Sequence, residues 1–515
     1  MAIVRFDKED ITTYIGDIKN VKQILDMLGA PTEIEEEIVV EVNPNRPDLL
    51  TFGGLMRAVK QREGKKIESN IHLEINENIK IEEVKNRPYC FCGYVRTNKP
   101  LPQHYYDYLI QAQEKLHETI GRKRKKVAIG IHDLNKVKLP ITYKPVEDIS
   151  FIPLNWEKKA NINEILTKHE KGVKYAHLVK DKPYPMLFDS EGVISFPPII
   201  NSDRTKLSET TKNFFIDVTG THLETTITTF FIILHDISMF SDNGVVLCNE
   251  TVYKQQIMPW INRGMEFNED MVREINKLLG LNLSKEHIKD ILQKMDYRVD
   301  EKNIVFPMYR YDIMDITDVV EDVAIGFGYD KLEPINPEIY TIGKQNKEAE
   351  KEIFTNMGFK EIKTFFLTNR EEEETYFKDN KKPRLTNSLN ENYNDIRSSL
   401  FFSLLKIEEI NKMKKLPHKI FEIGHVFKEK EKKQIGFLIA NKKVKIEEGI
   451  GVLKRYAQEI GKQMKLEKTE MLENSFYLWK VNGFIGRSKC VVGIVHPKYL
   501  TMYNIPNVVL IGLIE

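Results

Sequence analysis

Cysteine is scarce in this chain and poorly placed for metal. The four are Cys90, Cys92, Cys248 and Cys490. Only Cys90 and Cys92 are close, as C-x-C, and no second pair completes a tetrahedral zinc site. Structural thiols in a reduced, cytoplasmic protein are the expectation. Long apolar runs are missing too. Phe230 to Leu234 and Val508 to Ile514 are core-sized, far below the roughly 18 residues that a membrane span needs. The start, MAIVRFDKED, is charged too early for a secretory signal. Net charge is nearly absent, with Lys+Arg 77 against Asp+Glu 76. A nucleic-acid partner therefore has to be argued from local patches. There is no Walker A sequence and no G-x-S-x-G elbow. Gly326-Phe327-Gly328 and Gly449-Ile450-Gly451 lack the rest of a phosphate loop and read as caps and turns.

What is present is long and punctuated. At 515 residues the chain exceeds one hydrophobic core, and roughly three or four domains are expected. Residues 1–85 read as a small mixed domain, with a helical Val21 to Leu28 and a strand Ile38 to Val42. That strand runs into Asn43-Pro44-Asn45-Arg46-Pro47-Asp48, a turn whose Pro47 and Asp48 suit a helix start. Residues 86–255 open with the strand-like Tyr89 to Val95. A helix Tyr105 to Ile120 follows, striped by Leu109, Ala112, Leu116 and Ile120 and ended by Gly121. Residues 256–335 hold two amphipathic helices joined at Gly280 to Ser284, then short strands, which is the outline of a helix-turn-helix with a hairpin wing. Residues 336–515 alternate helices and strands and end on Val508 to Ile514.

Three constellations could carry chemistry, and each has a plainer reading. Asp318, Glu321 and Asp322 stand at i, i+3 and i+4, with Asp312 upstream. One helix face with three carboxylates suits a hard divalent cation, or else simply an acidic helix start. The run Arg122 to Lys126 is five consecutive cations. It could contact phosphates, or be a solvated loop edge or a subunit contact. Asp217, Thr219 and His222 follow a strand beside a glycine turn. They could recognise a polar ligand or orient a water, or only bond their own backbone.

Several segments together resemble the archaeal and eukaryotic type of the phenylalanyl-tRNA synthetase β subunit. NPNRPDLL at 43–50 resembles that family's N-terminal signature. QEKLHETIGRKRKKVAIGIHDLNKVKLPITYK at 113–144, KGVKYAHLV at 171–179 and FPPIINSDRTKLSETTKNFFIDVTGT at 196–221 are similar to the family's text in its editing domain. YRYDI and EDVAIGFGYD within 309–330 match the next domain. RSSLFFSLL at 397–405, KIFEIGHVF at 419–427 and GIVHP at 493–497 fall in the last. The chain stops at Glu515, without the anticodon-binding extension of bacterial β subunits, as expected of the archaeal type.

The resemblance implies a multidomain α+β protein with an N-terminal mixed domain, an editing domain, a helix-turn-helix-like domain and a class II synthetase-like domain. That last domain has an antiparallel sheet with helices but lacks catalytic motifs. Phe421-Glu422 sits at the relic of the second class II motif without its arginine, and Phe484-Ile485-Gly486-Arg487 is a poor substitute for the third. The chain alone is therefore expected not to form the adenylate. ATP would be used with an α subunit, in an assembly of two α and two β chains acting on tRNA(Phe). The family's Mg²⁺ site maps onto Asp312, Asp318, Glu321 and Asp322. Its editing pocket maps onto Leu187, Ser195, Asp217 and Thr219. The loop at 189–193 is one residue short of the family pattern, and His222 stands where an acid is expected. The editing role has a physical rationale. An apolar phenylalanine pocket rejects an added hydroxyl by only about a hundredfold, so a second site that hydrogen-bonds the phenol and hydrolyses Tyr-tRNA(Phe) is useful. The competing readings are a structural subunit with a decayed editing site, and a DNA-binding regulator built on the helix-turn-helix block.

Overall fold

The computed structural model describes residues 2–65, 67, 71–334, 349–376, 385–467 and 476–515. The chain divides into two compact units, Met1–Asn336 and Pro337–Glu515. The expected boundary at 335/336 lies outside the described residues. Among those residues no helix is long and apolar enough to cross a membrane.

In the first unit the strand Ile38–Val42 is central, between Ala2–Phe6 and Thr32–Ile34, both antiparallel to it. The following turn enters a short 3-10 helix, Pro47–Leu50, and then the helix Phe52–Arg62. Thr51 caps the latter by accepting the Gly54 N–H at 3.0 Å. At Gly53 this helix meets the helix Leu223–Ser238 so closely that a Cβ would overlap the Asp236 carbonyl. Leu223–Ser238 is buried at every position from Thr225 onward, a core helix rather than an amphipathic one.

That helix lies on a five-stranded sheet ordered Ile71–Ile75, Gly244–Cys248, Tyr89–Arg96, Asn213–Gly220, Val127–Asp133. Alternation along Asn213–Gly220 sends Phe214, Ile216 and Val218 into the helix-side core. Phe215, Asp217 and Thr219 face the other way. There a second five-stranded sheet packs, ordered Ile200–Asn201, Gly192–Phe196, Tyr184–Asp189, Ile141–Val146, Ile79–Ile81. Its Ile141, Tyr143, Leu187 and Ile194 bury against Cys90, Cys92, Phe215 and Leu247. The cysteines are free thiols.

The helices Glu269–Leu279, Lys285–Lys294 and Ile316–Phe327 follow. Gly280, at φ 68°, closes the first, and Ser284 Oγ caps the second by accepting the His287 N–H. The wing has a third strand: Gly264–Glu266 pairs with Asn303–Val305, which pairs with Arg298–Val299. The apolar faces of these helices join the same core cluster as the N-terminal strands.

The second unit is built on a seven-stranded sheet. Its order is Lys360–Glu361, His418–Phe427, Glu431–Asn441, Val508–Ile514, Ser488–Val495, Tyr477–Ile485, Met464–Glu467. Only the first pairing is parallel. Leu400–Asn411 buries Leu400, Phe401 and Leu404 on one face. Ala349–Asn356 and Ile446–Glu459 bury Phe354, Val452 and Leu453 on the other.

Candidate functional site

Asp217 sits between the two five-stranded sheets of the first unit, 2% exposed. Its Oδ2 meets His132 Nε2 at 2.8 Å, and His132 Nδ1 meets Thr205 Oγ1 at 2.8 Å. The imidazole is thus clamped at both nitrogens and is fully buried. Asp217 Oδ1 has one long contact, from Ser195 Oγ at 3.4 Å. Among the described residues it has no other partner, so acceptor capacity remains there. Asp217 and Ser195 open on a cavity of about 530 Å³, with Gly130, Phe196, Ile199 and Arg124 also in its wall. Gly130 faces Asp217 across the strand pair. A Cβ at Gly130 would overlap the Asp217 carboxylate and crowd His132, so glycine is what leaves room for the acid.

Of the four expected pocket residues, the structure brings Ser195 and Asp217 to the cavity. Leu187 and Thr219 lie behind it. Leu187 pairs with Ser195 across the sheet, with a bulge between Leu187 and Phe188; this bulge adjusts the register beside the short loop. Leu187 is sealed in the inter-sheet cluster. Thr219 Oγ1 accepts from Arg87 Nε at 2.8 Å, and Arg87 Nη2 donates to the Thr219 carbonyl at 2.7 Å. Burial lowers the Arg87 guanidinium to about 10. His222 is not part of the cavity. Its Nδ1 accepts from the Thr225 N–H and Oγ1, making it the N-cap of Leu223–Ser238. His132 and Gly130 escaped the sequence reading; the available signal was a histidine inside the apolar strand VAIGIHD.

The basic run proves to be a tight turn with unusual backbone. Arg122, Lys123 and Arg124 are consecutive at φ 46°, 54° and 65°. Left-handed conformation costs a non-glycine residue about 1–2 kcal/mol, so the surroundings must hold it. Arg124 does much of this. It is buried, stacks over Tyr175, and donates to the Pro198 and Ile199 carbonyls and to Glu114. Beneath it His117 accepts the Ile129 N–H, and burial lowers its imidazole to about 4.

The acidic quartet is arranged otherwise than its spacing suggests. Arg310 forks onto Asp312 at 2.8 and 2.7 Å and reaches Asp322 at 3.0 Å. Tyr297 Oη donates to Asp322 at 2.5 Å. Asp318 accepts the N–H groups of Met314 and Asp315, completing a capping box. Glu321 accepts from Tyr329 Oη at 2.7 Å. Asp312 and Asp322 are therefore brought together on a guanidinium, while Asp318 and Glu321 are directed elsewhere. Such a donor set does not fit a shared divalent ion, because the positive charge between Asp312 and Asp322 is already Arg310. Its pKa is raised well above the ordinary value, the two carboxylates outweighing burial. Among the described residues a three-donor cluster of the right size occurs instead at Asp7, Asp10 and His104. Asp7 caps a helix, and Asp10 accepts from Tyr108, His104 and the Gln103 N–H.

The NPNRPD turn joins this charged core. Arg46 forks onto Asp48 at 2.9 Å, Arg57 adds 3.3 Å, and Tyr311 Oη donates to the Pro44 carbonyl. Burial would raise the Asp48 carboxyl, but Arg46, Arg57 and Arg310 hold it at about 2. Arg57 also stacks 3.6 Å from the Tyr309 ring centroid. In the second unit Glu422, fully buried, accepts from Arg397 at 2.9 Å and from Thr364 Oγ1 at 2.5 Å. Arg487 follows Gly486, φ 60°, at the tip of the Tyr477–Ile485/Ser488–Val495 hairpin.

Known proteins bear on this arrangement. A family model described as the tRNA synthetase B5 domain matches residues 271–329, and one described as the phenylalanyl tRNA synthetase beta chain CLM domain matches 334–514. The phenylalanine–tRNA ligase beta subunit of Archaeoglobus fulgidus is 34% identical over 98% of this chain and 96% of its own length. This chain belongs to the phenylalanine–tRNA ligase β-subunit family. The Methanocaldococcus jannaschii β subunit is likewise 34% identical, over 98% of each chain. The crystal structure of an N-terminal fragment of the β subunit from Pyrococcus horikoshii is similar to 63% of this chain and 99% of the fragment, at TM-score 0.53 and 31% identity. The family places the chain among aminoacyl-tRNA synthetases, ligases of protein biosynthesis.

Proposed function

We infer that this chain is the scaffolding and proofreading subunit of a phenylalanine–tRNA ligase. With an α subunit, as two α and two β chains in the cytoplasm, it attaches phenylalanine to tRNA(Phe) at the expense of ATP. The cavity beside Asp217 clears Tyr-tRNA(Phe). One observation supports the proofreading reading above others: a buried carboxylate in the wall of a 530 Å³ cavity has one oxygen fixed by His132 and the other with only a long contact, from Ser195. A buried acceptor that lacks a donor rewards a ligand hydroxyl and penalises its absence. A tyrosyl phenol would donate to Asp217 Oδ1, while a phenylalanyl ring would leave that oxygen unpaired.

His132, held by Thr205, acts as a positioning residue for Asp217. In the hydrolysis a water oxygen bonds to the ester carbonyl carbon and the bond to the terminal ribose oxygen breaks. A water proton ends on that ribose oxygen, releasing tyrosine and tRNA. Of the other acids in the cavity wall, Asp107 and Glu114, the latter is paired with Arg124, and the ribose's neighbouring hydroxyl assists the water. Synthesis belongs to the α subunit. Stabilising charge on leaving pyrophosphate needs free cations or metal, and Arg397 is committed to Glu422. Mg²⁺ would accompany ATP at the α subunit, and no step here runs through the Asp312, Asp318, Glu321 and Asp322 quartet.

The test pairs two assays. Tyr-tRNA(Phe) hydrolysis by the assembled complex should be fast, and ATP–pyrophosphate exchange with phenylalanine should require α. Exchange by this chain alone, at the rate of the complex, would overturn the division of labour.

A further inference from the structure

Resting on the proofreading reading, we propose that a second cavity, of about 380 Å³, binds a backbone phosphate from the single-stranded end of the tRNA. It lies between the basic turn and the start of the Leu223–Ser238 helix. Its wall includes Arg122, Lys126, Thr225, Thr228 and Tyr311.

Three independent features point to a bound anion. Among the described residues the Arg122 and Lys126 side chains make no ion pair or hydrogen bond. Thr228, a residue of the cavity wall, is wholly buried, and its Oγ1 has no partner among the described residues. A buried hydroxyl in that state calls for an explanation, and a bound acceptor supplies one. The cavity also faces the first turns of a 16-residue helix, where the dipole favours an anion. Glu224, the one acid of that first turn, is exposed and lines no part of the cavity.

A polynucleotide fits better than a lone anion because of how the turn distributes its charges. Arg124 lines the Asp217 cavity, Lys125 lines a third cavity of about 300 Å³ beside Arg87 and Thr221, and Arg122 and Lys126 line this one. Four of the five residues thus supply cations to three neighbouring depressions, and the left-handed backbone at Arg122, Lys123 and Arg124 is what fans them apart. An RNA whose terminal aminoacyl ester entered the Asp217 cavity would pass its phosphates along this turn.

The experiment measures binding of fluorescent tRNA(Phe) to the assembled complex over a salt series. Arg122→Gln/Lys126→Gln should lower affinity at low salt roughly tenfold. It should also flatten the plot of log affinity against log salt by roughly 0.7, the value for one single-strand phosphate lost. Lys123→Gln, equal in charge to either single change but outside all three cavities, should alter the slope by less than half of a single-contact value. Thr228→Val, which keeps shape and removes the hydroxyl, should weaken binding about two- to fivefold with an unchanged melting temperature. In deacylation the double variant should raise KM for Tyr-tRNA and spare kcat. An unchanged salt slope in the double variant overturns the proposal. So does inorganic phosphate binding that the variants abolish while tRNA affinity stays at the parental value. If the parent complex hydrolyses no Tyr-tRNA yet the double variant still flattens the slope, the phosphate site stands and the proofreading reading falls.

Discussion

Asp217 and Glu422 are both buried acids on inner strands of a sheet, one in each unit, and they are treated in opposite ways. Asp217 is held by His132 and Ser195 and lines a cavity. Glu422 is held by the Arg397 guanidinium and the Thr364 hydroxyl, and no charge is left to offer a ligand. The difference teaches that an acid can be buried in two ways. An imidazole and a hydroxyl fix an acid in place and leave one of its oxygens loosely held, whereas a buried pair with a guanidinium consumes both partners. Arg310 between Asp312 and Asp322 repeats the closed arrangement in the first unit.

The closed pair should give the largest effect. Arg397→Met leaves Glu422 buried and uncompensated, and should destabilise the second unit by about 3–5 kcal/mol, read by denaturant unfolding. Glu422→Gln/Arg397→Met should recover most of that loss. A neutral Arg397→Met would break the contrast at its root. Next is Asp217→Ala, expected to slow Tyr-tRNA hydrolysis by about a hundredfold or more, on the scale of losing one preorganised polar contact. Aminoacylation should stay within about twofold. Hydrolysis at the parental rate would show that Asp217 is as idle as Glu422.

A smaller effect concerns pH. Burial holds the imidazoles of His117 and His235 down at about 4 and about 3, and lifts the Asp236 carboxyl to about 6. Unfolded histidines bind protons below about 6.5. Their contribution is therefore fully present above that pH and is lost as pH falls. The raised Asp236 has the opposite sign: its folded form holds a proton that the unfolded form releases, which stabilises the fold below about 6 and offsets one histidine. The net of about one proton predicts a loss of about 1.4 kcal/mol per pH unit between about 6 and 4, checked by melting the first unit across that range. Smallest of all is metal removal. With Arg310 supplying the charge at Asp312 and Asp322, EDTA should leave the melting temperature of the isolated chain within about 1 °C. Mn²⁺ titration followed by electron paramagnetic resonance should show no tight site that Asp322→Asn abolishes.

Much of the scaffold was legible in advance because it rests on local rules. Short apolar runs marked the Ile38–Val42 and Tyr89–Arg96 strands, a spaced apolar stripe gave Tyr105–Glu118, and Ser284 announced its own helix. The Leu223–Ser238 helix was not legible, because a helix buried all round has no polar face and so no period to detect. His132 was hidden for a related reason: its strand, Val127–Asp133, is buried at every residue, so nothing marked one side chain as facing chemistry. His222 misled in the other direction, a reactive side chain spent on capping a helix.

The sequence alone determined the family, the identities of the acids, bases and cations, and the faces on which Asp217 and Thr219 had to lie, since a two-residue period fixes them without reference to anything distant. Only the tertiary structure decided which charges cancel. Asp217 meets His132 across 85 positions of chain, Arg310 stands between Asp312 and Asp322, and the 43–50 turn reaches Tyr311 across 267 positions. Spacing cannot decide such pairings, because they are set by burial. A charge taken out of water must find a partner among whatever the packing brings near, and that neighbourhood is a property of the folded chain.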